Sequence, residues 1–197
     1  MHFIYNERKA AQMAAQFTKM AGGTINYLLL IKLMDLADRL HLVNKGRPIT
    51  GDEFYSLRLG PILSRTLDLI RDVPRSRNSP WFQYISPPSD CRVSLVNPDP
   101  EDDEFSTAEM RTIRQTFQQY GHYDPFVLAD LTHQILPEWR DPGDSCLRIS
   151  PEEILRQEGK PEAEIKAISD ESTVALTLAS IKSFPISPKE RDNGTRV

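Results

Sequence analysis

The chain has little of what would assign a function outright. Its 197 residues include only two cysteines, Cys91 and Cys146, too far apart for any C-x-x-C pairing. That spacing excludes a zinc knuckle or a disulfide framework and leaves reduced thiols as the expectation. Four histidines, His2, His41, His122 and His133, are scattered, with no H-x-x-x-H or H-E-x-x-H spacing for a metal. There is no G-x-S-x-G, no histidine near either cysteine and no glycine-rich phosphate cradle. The longest purely apolar run, residues 27–31, is far too short to span a bilayer. The early segment N-E-R-K-A-A-Q-M-A-A-Q is polar and lacks a signal-peptide core. Net charge is −4, so bulk charge gives no pull toward phosphates, and no helix carries a basic recognition face. These absences predict a soluble cytoplasmic protein that is not an enzyme, holds no cofactor or metal, and does not read nucleic acid directly.

What is present is organised around residues 24–41. Thr24 follows the Gly22-Gly23 break and suits an N-cap. From Ile25 the apolar residues Leu29, Leu30, Leu33, Met34, Leu36, Ala37 and Leu40 cover roughly half of a helix circumference. Such a width suits a central helix touched by several neighbours. Lys32, Asp35, Asp38 and Arg39 fall together on the other side, spaced for local ion pairs on a solvated stripe.

The rest reads as mainly α with one small hairpin. Asn6 caps a first helix bearing Ala10, Met13, Ala14, Phe17 and Met20. Thr50 and Glu53 have capping-box spacing and predict a short helix through Phe54, Tyr55 and Leu57, and Pro61 opens another. Residues 81–85 and 92–96 read as two strands of a β-hairpin, about 81–96. The acidic stretch N-P-D-P-E-D-D-E reads as a mobile loop. Ser106 with Glu109, Asp124-Pro125, and Ser150-Pro151 announce three further helices, and a longer one follows over about 162–181. The expected organisation is a helical domain over 1–140 with the hairpin inserted, a helical extension over 141–182 packed on it, and a disordered tail over 183–197.

Two constellations merit weighing for chemistry. Asp35, Asp38 and Arg39, joined by His133, would make an active site if they converged on one pocket; the alternative is an ion-paired stripe and an ordinary histidine. Arg71, Arg75 and Arg77 form a small basic patch, which the acidic loop at 99–104 opposes as a phosphate site.

The run I-N-Y-L-L-L-I-K-L-M-D-L-A-D-R-L, then G-R-P-I-T-G-D-E-F and L-G-P-I, together resemble the Panacea, or SocA-like, domain. F-S-T-A-E-M-R-T-I-R-Q-T-F-Q-Q-Y-G and L-A-D-L-T-H-Q-I-L-P-E-W are similar to its second half, so the resemblance covers about residues 6–140. Met34 departs from it, standing where the family commonly has an aromatic residue. The resemblance implies an antitoxin of a type II toxin–antitoxin module, some of them prophage-borne, which neutralises a protein toxin encoded beside it. One branch of the family instead delivers its toxin to a cytoplasmic AAA+ protease, for which the 183–197 tail would be a docking segment. An interface of about 1,200–2,000 Å² anchored by aromatic and arginine side chains is expected. Arg75, Arg77, Trp81, Phe82 and Tyr84 around the hairpin are the first candidates for that anchor, and the Lys32, Asp35, Asp38, Arg39 stripe the second. The ordinary alternative is that Trp81 and Tyr84 only pack the hairpin onto the helices. Monomer and homodimer both remain open.

Overall fold

The computed structural model describes residues 1–71 and 79–182. The protein is mainly α, with eight helices and small antiparallel sheets among the described residues. Helix α1 (Glu7–Met20) starts where Asn6 accepts the backbone N–H of Lys9, and buries Ala10, Met13, Ala14 and Phe17. Gly22 and Gly23 then turn the chain through positive φ, where a side chain would be strained.

The central helix begins later than Thr24 predicts. Residues Thr24–Asn26 form a short strand, β1, and α2 runs Tyr27–Lys45 with Asn26 as its N-cap, accepting from the N–H of Leu28. It runs through Leu42 and Val43 and stops at Gly46, in the left-handed conformation. Helix α2 is the hub: α1, α3 (Ser64–Ile70), α5 (Thr107–Tyr120), α6 (Pro125–Ile135) and α7 (Pro151–Gln157) all pack on it.

Three expectations yield to tertiary pairing. The Thr50-x-x-Glu53 helix is instead a hairpin of β2 (Phe54–Leu57) and β3 (Gly60–Leu63), with Phe54 opposite Leu63. The capping box cannot form because the Thr50 hydroxyl donates to Asp38, and the Glu53 N–H goes to Asp52 Oδ1 at 2.7 Å. Pro61 accordingly lies in a strand, and α3 begins at Ser64. Asp52 accepts the N–H groups of Arg65 and Thr66, at 3.0 and 2.8 Å, so a residue twelve positions upstream caps α3.

The 81–96 hairpin is likewise half strand. Trp81–Tyr84 is one helical turn, α4, with Glu7 accepting from Ser79 Oγ and the Trp81 N–H. Beyond it β4 (Arg92–Ser94) pairs with β1 rather than with the 81–85 segment, although Ile85 bridges Leu95. The acidic loop is tied along α1: Arg8 meets Glu101 and Asp103, each at 3.0 Å, and Lys19 meets Asp99 at 2.6 Å. These pairs are exposed and weakened by solvent screening, but Gln12 adds a 2.6 Å bond to Asp103 from a buried position.

Helices α5, α6 and α7 start at Ser106, Asp124 and Ser150 as the caps announce, the first with both arms of its capping box. Beyond residue 140 the chain adds a strand that sequence periodicity did not reveal. β5 (Leu147–Ile149) pairs with β2, making the sheet order β3-β2-β5. Ile149, Ile154 and Leu155 join the core, and α8 (Glu162–Lys182) packs on α7 and buries Ile165.

Candidate functional site

The charged stripe in the middle of α2 lies inside the protein. Lys32, Asp35 and Asp38 have at most 1% of their surface exposed, so the expected solvated stripe is corrected to a buried one. The reason is the number of partners: with helices and the β3 strand on several sides, α2 has no free face. As placed, these three side chains offer no surface to a partner.

Each has its own attachment. Lys32 Nζ donates to the Pro61 carbonyl at 2.6 Å. Burial holds its pKa below the ordinary lysine range, although nearby Asp35 pulls the other way. Asp35 lies near Lys32, and burial raises its carboxyl; its Oδ1 has no hydrogen-bond partner. Asp38 accepts the N–H groups of Ile49 and Thr50, both at 3.0 Å, and stands apart as the anchor of that turn. Burial pushes its carboxyl up to about 7 against those hydrogen bonds. Arg39, largely buried, grips Glu138 with two bonds of 2.5 and 3.0 Å and reaches Glu158 at 2.7 Å.

His133 stacks on Trp139, ring centroids 3.9 Å apart, while the Trp139 indole N–H donates to the Leu57 carbonyl at 3.0 Å. Burial lowers the His133 pKa, and Lys32 acts in the same direction. Lys32 Nζ and His133 Nε2 meet at Gly60, where an added Cβ would come within 2.9 and 3.2 Å of them. The structure therefore brings Lys32 close to Asp35 and His133, and ties Asp38 to a different turn. The Asp35, Asp38, His133 constellation does not assemble as an open active site.

The proposed aromatic anchors are also mostly interior. Trp81 is 1% and Tyr84 7% exposed, which favours their packing role over a surface role; Phe82 is half-buried. The Tyr84 hydroxyl accepts from Gln12 and donates to Glu101, each at 3.1 Å, fastening α4 to α1 and the acidic loop. Arg75 and Arg77 lie outside the described residues.

The accessible feature is a pocket of about 210 Å³ where the start of α2, the β2–β3 hairpin, α3 and the start of α6 meet. Leu28, Ile31 and Ile62 are among its walls, and Leu59 and Phe126, 47% and 62% exposed, belong to its lining. Arg71 contributes an exposed cation, Lys32 is buried behind the wall, and no described residue of the wall is acidic. Sequence reasoning missed this site, although one signal was present. Phe126, Val127 and Leu128 are consecutive, and at 100° per residue a helix cannot turn all three into one core. Leu128 is buried, and the other two are left outside.

Among the described residues no helix is long and apolar enough to cross a membrane. A family model described as "Antitoxin SocA-like, Panacea domain" matches residues 30–140, more than half of the chain. No curated protein and no solved structure matches significantly.

Proposed function

Because the chain belongs to the SocA-like antitoxin family with a Panacea domain, we propose that it binds a cognate protein toxin encoded beside it and neutralises it by direct contact, as a non-catalytic partner. The observation that carries this reading is the family match, which runs from the first turn of α2 to just past α6 and so includes the hub of the fold. The chemistry of the interior supports it. Several buried carboxylates are committed to structure: Asp38 on the 49–50 turn, Asp52 on the start of α3, Glu138 on Arg39, while Asp35 is enclosed away from solvent. What faces outward is an apolar pocket with exposed rims, which suits protein recognition.

A growth assay tests the proposal. The product of the adjacent gene is expressed alone and then with this chain, followed by a pull-down. Toxicity alone, rescue on co-expression and co-purification at steady toxin level are the expected results. Rescue with a toxin level that falls, and recovers when a AAA+ protease is removed, would transfer the chain to the adaptor class. A harmless neighbour would overturn the antitoxin reading.

A further inference from the structure

Two of the exposed large apolar side chains sit at the pocket described above. Leu59 at the β2–β3 turn and Phe126 at the start of α6 both line it, and Val127 beside Phe126 is 54% exposed. Burying a side chain of this size is worth about 1.5–3 kcal/mol, so leaving them out costs the isolated chain stability it could have had. A volume of about 210 Å³ is below the roughly 300–1,000 Å³ of pockets that enclose whole small molecules. It matches one or two side chains inserted from a partner. A recess with apolar residues at its edge is also the usual surrounding of an interface hot spot, where neighbours exclude water from an inserted anchor.

The charge of the wall narrows the occupant. Arg71 is exposed in the pocket lining, and its guanidinium forms no ion pair with a described residue. Lys32 lies behind the wall, fully buried, donating to the Pro61 carbonyl with Asp35 nearby, so Arg71 is the cation a partner can reach. Arg58 is exposed on the turn that carries Leu59. Among the described residues the pocket wall holds no acid, so Arg71, with Arg58 nearby, gives the edge of this apolar recess a positive character.

We propose that this pocket is the toxin-docking site, and that it takes an apolar side chain of the toxin flanked by an aspartate or glutamate. The apolar side chain seats between Leu59 and Phe126, and the carboxylate meets Arg71 at the rim. The inference rests on the antitoxin reading and locates its interface away from the buried Trp81 turn.

The test uses the full chain and the purified product of the adjacent gene, with affinity measured by calorimetry. Leu59→Ala and Phe126→Ala each lower affinity at least tenfold. Arg71→Glu does the same, and Arg71→Gln falls between it and the native chain. Val174→Ala with Leu178→Ala, which trims exposed residues of α8, leaves affinity unchanged. All of these positions are exposed, so thermal melting should stay within a few degrees of the native value and separate lost binding from lost fold. A second readout uses Cys91, which lines the pocket and is a free, exposed thiol. In a Cys146→Ser background, alkylation of Cys91 slows at least fivefold when the toxin is bound. Full affinity in the pocket variants with unslowed alkylation would overturn the docking site while the antitoxin reading stands. No binding by the native chain would overturn both. Dissociation of a homodimer by Phe126→Ala, with toxin affinity intact, would give the pocket to a second copy of the chain instead.

Discussion

Asp38 and Thr50 hold the end of α2 to the loop that follows it. The Asp38 carboxylate accepts the Thr50 hydroxyl and the N–H groups of Ile49 and Thr50, all buried. Replacing Asp38 with alanine strands two backbone donors and a hydroxyl, at about 1–3 kcal/mol for each group left unsatisfied. Asp38→Ala should therefore lose about 3 kcal/mol or more in urea unfolding. Asp38→Asn keeps an acceptor for both N–H groups and a donor for the hydroxyl, and should lose much less. Equal losses would show that the carboxylate's charge, not its hydrogen bonding, holds the turn.

The same residue predicts how stability depends on pH. Burial raises Asp38 to about 7 from 3.8, and raises Asp35 as well. Between those values the folded chain keeps protons that the unfolded chain has released, so stability declines as pH rises from about 4 to about 7. Lys32 works in the opposite sense at higher pH. Burial lowers its pKa from 10.5, so the folded chain sheds a proton that the unfolded chain retains, and stability recovers as pH climbs toward 10.5. Denaturation followed across pH should show a shallow minimum between the two limbs. Asp38→Asn should flatten the acid limb; an unchanged slope would mean that Asp38 is not its source.

Gly60 should not accept a side chain. Its φ is +90°, and an added Cβ would lie 2.5 Å from Thr132 Oγ1 and 2.9 Å from Lys32 Nζ. Backbone strain and overpacking together should cost Gly60→Ala on the order of 3 kcal/mol. Gly143 has φ of +60° but open space around it, and Gly143→Ala should cost only the backbone part, about 1 kcal/mol. Thermal melting of the two variants separates strain from crowding.

Truncation at residue 140 should fail. It removes β5 from the edge of β2, the buried Ile149, Ile154, Leu155 and Ile165, and the Glu158 partner of Arg39. A 1–140 fragment is expected to melt without a cooperative transition in circular dichroism. A sharp transition at the native temperature would show residues 141–182 to be a dispensable attachment.

Sequence alone determined four of the helix starts, while those read at Thr24, Thr50 and Pro61 were displaced. Asn6, Ser106, Asp124 and Ser150 cap where their residue types and spacing announce, because a cap is a hydrogen bond across two or three residues. The same local reading recovered the mainly α class and the hub role of α2. Tertiary structure decided the rest. Residues 54–57 became a strand because Thr50 was drawn to Asp38 and because Leu63 and Ile149 supplied edges to pair with. Lys32, Asp35 and Asp38 looked like a solvated face because charge at helical spacing normally is one. Neighbours packed on several sides of α2 closed that face, and no local pattern counts neighbours. The pocket lined by Leu59 and Phe126 was likewise out of reach, since it exists only where a hairpin turn, two helix starts and α3 come together. Contacts between near residues are written in local sequence; burial and cavities depend on which distant segments meet.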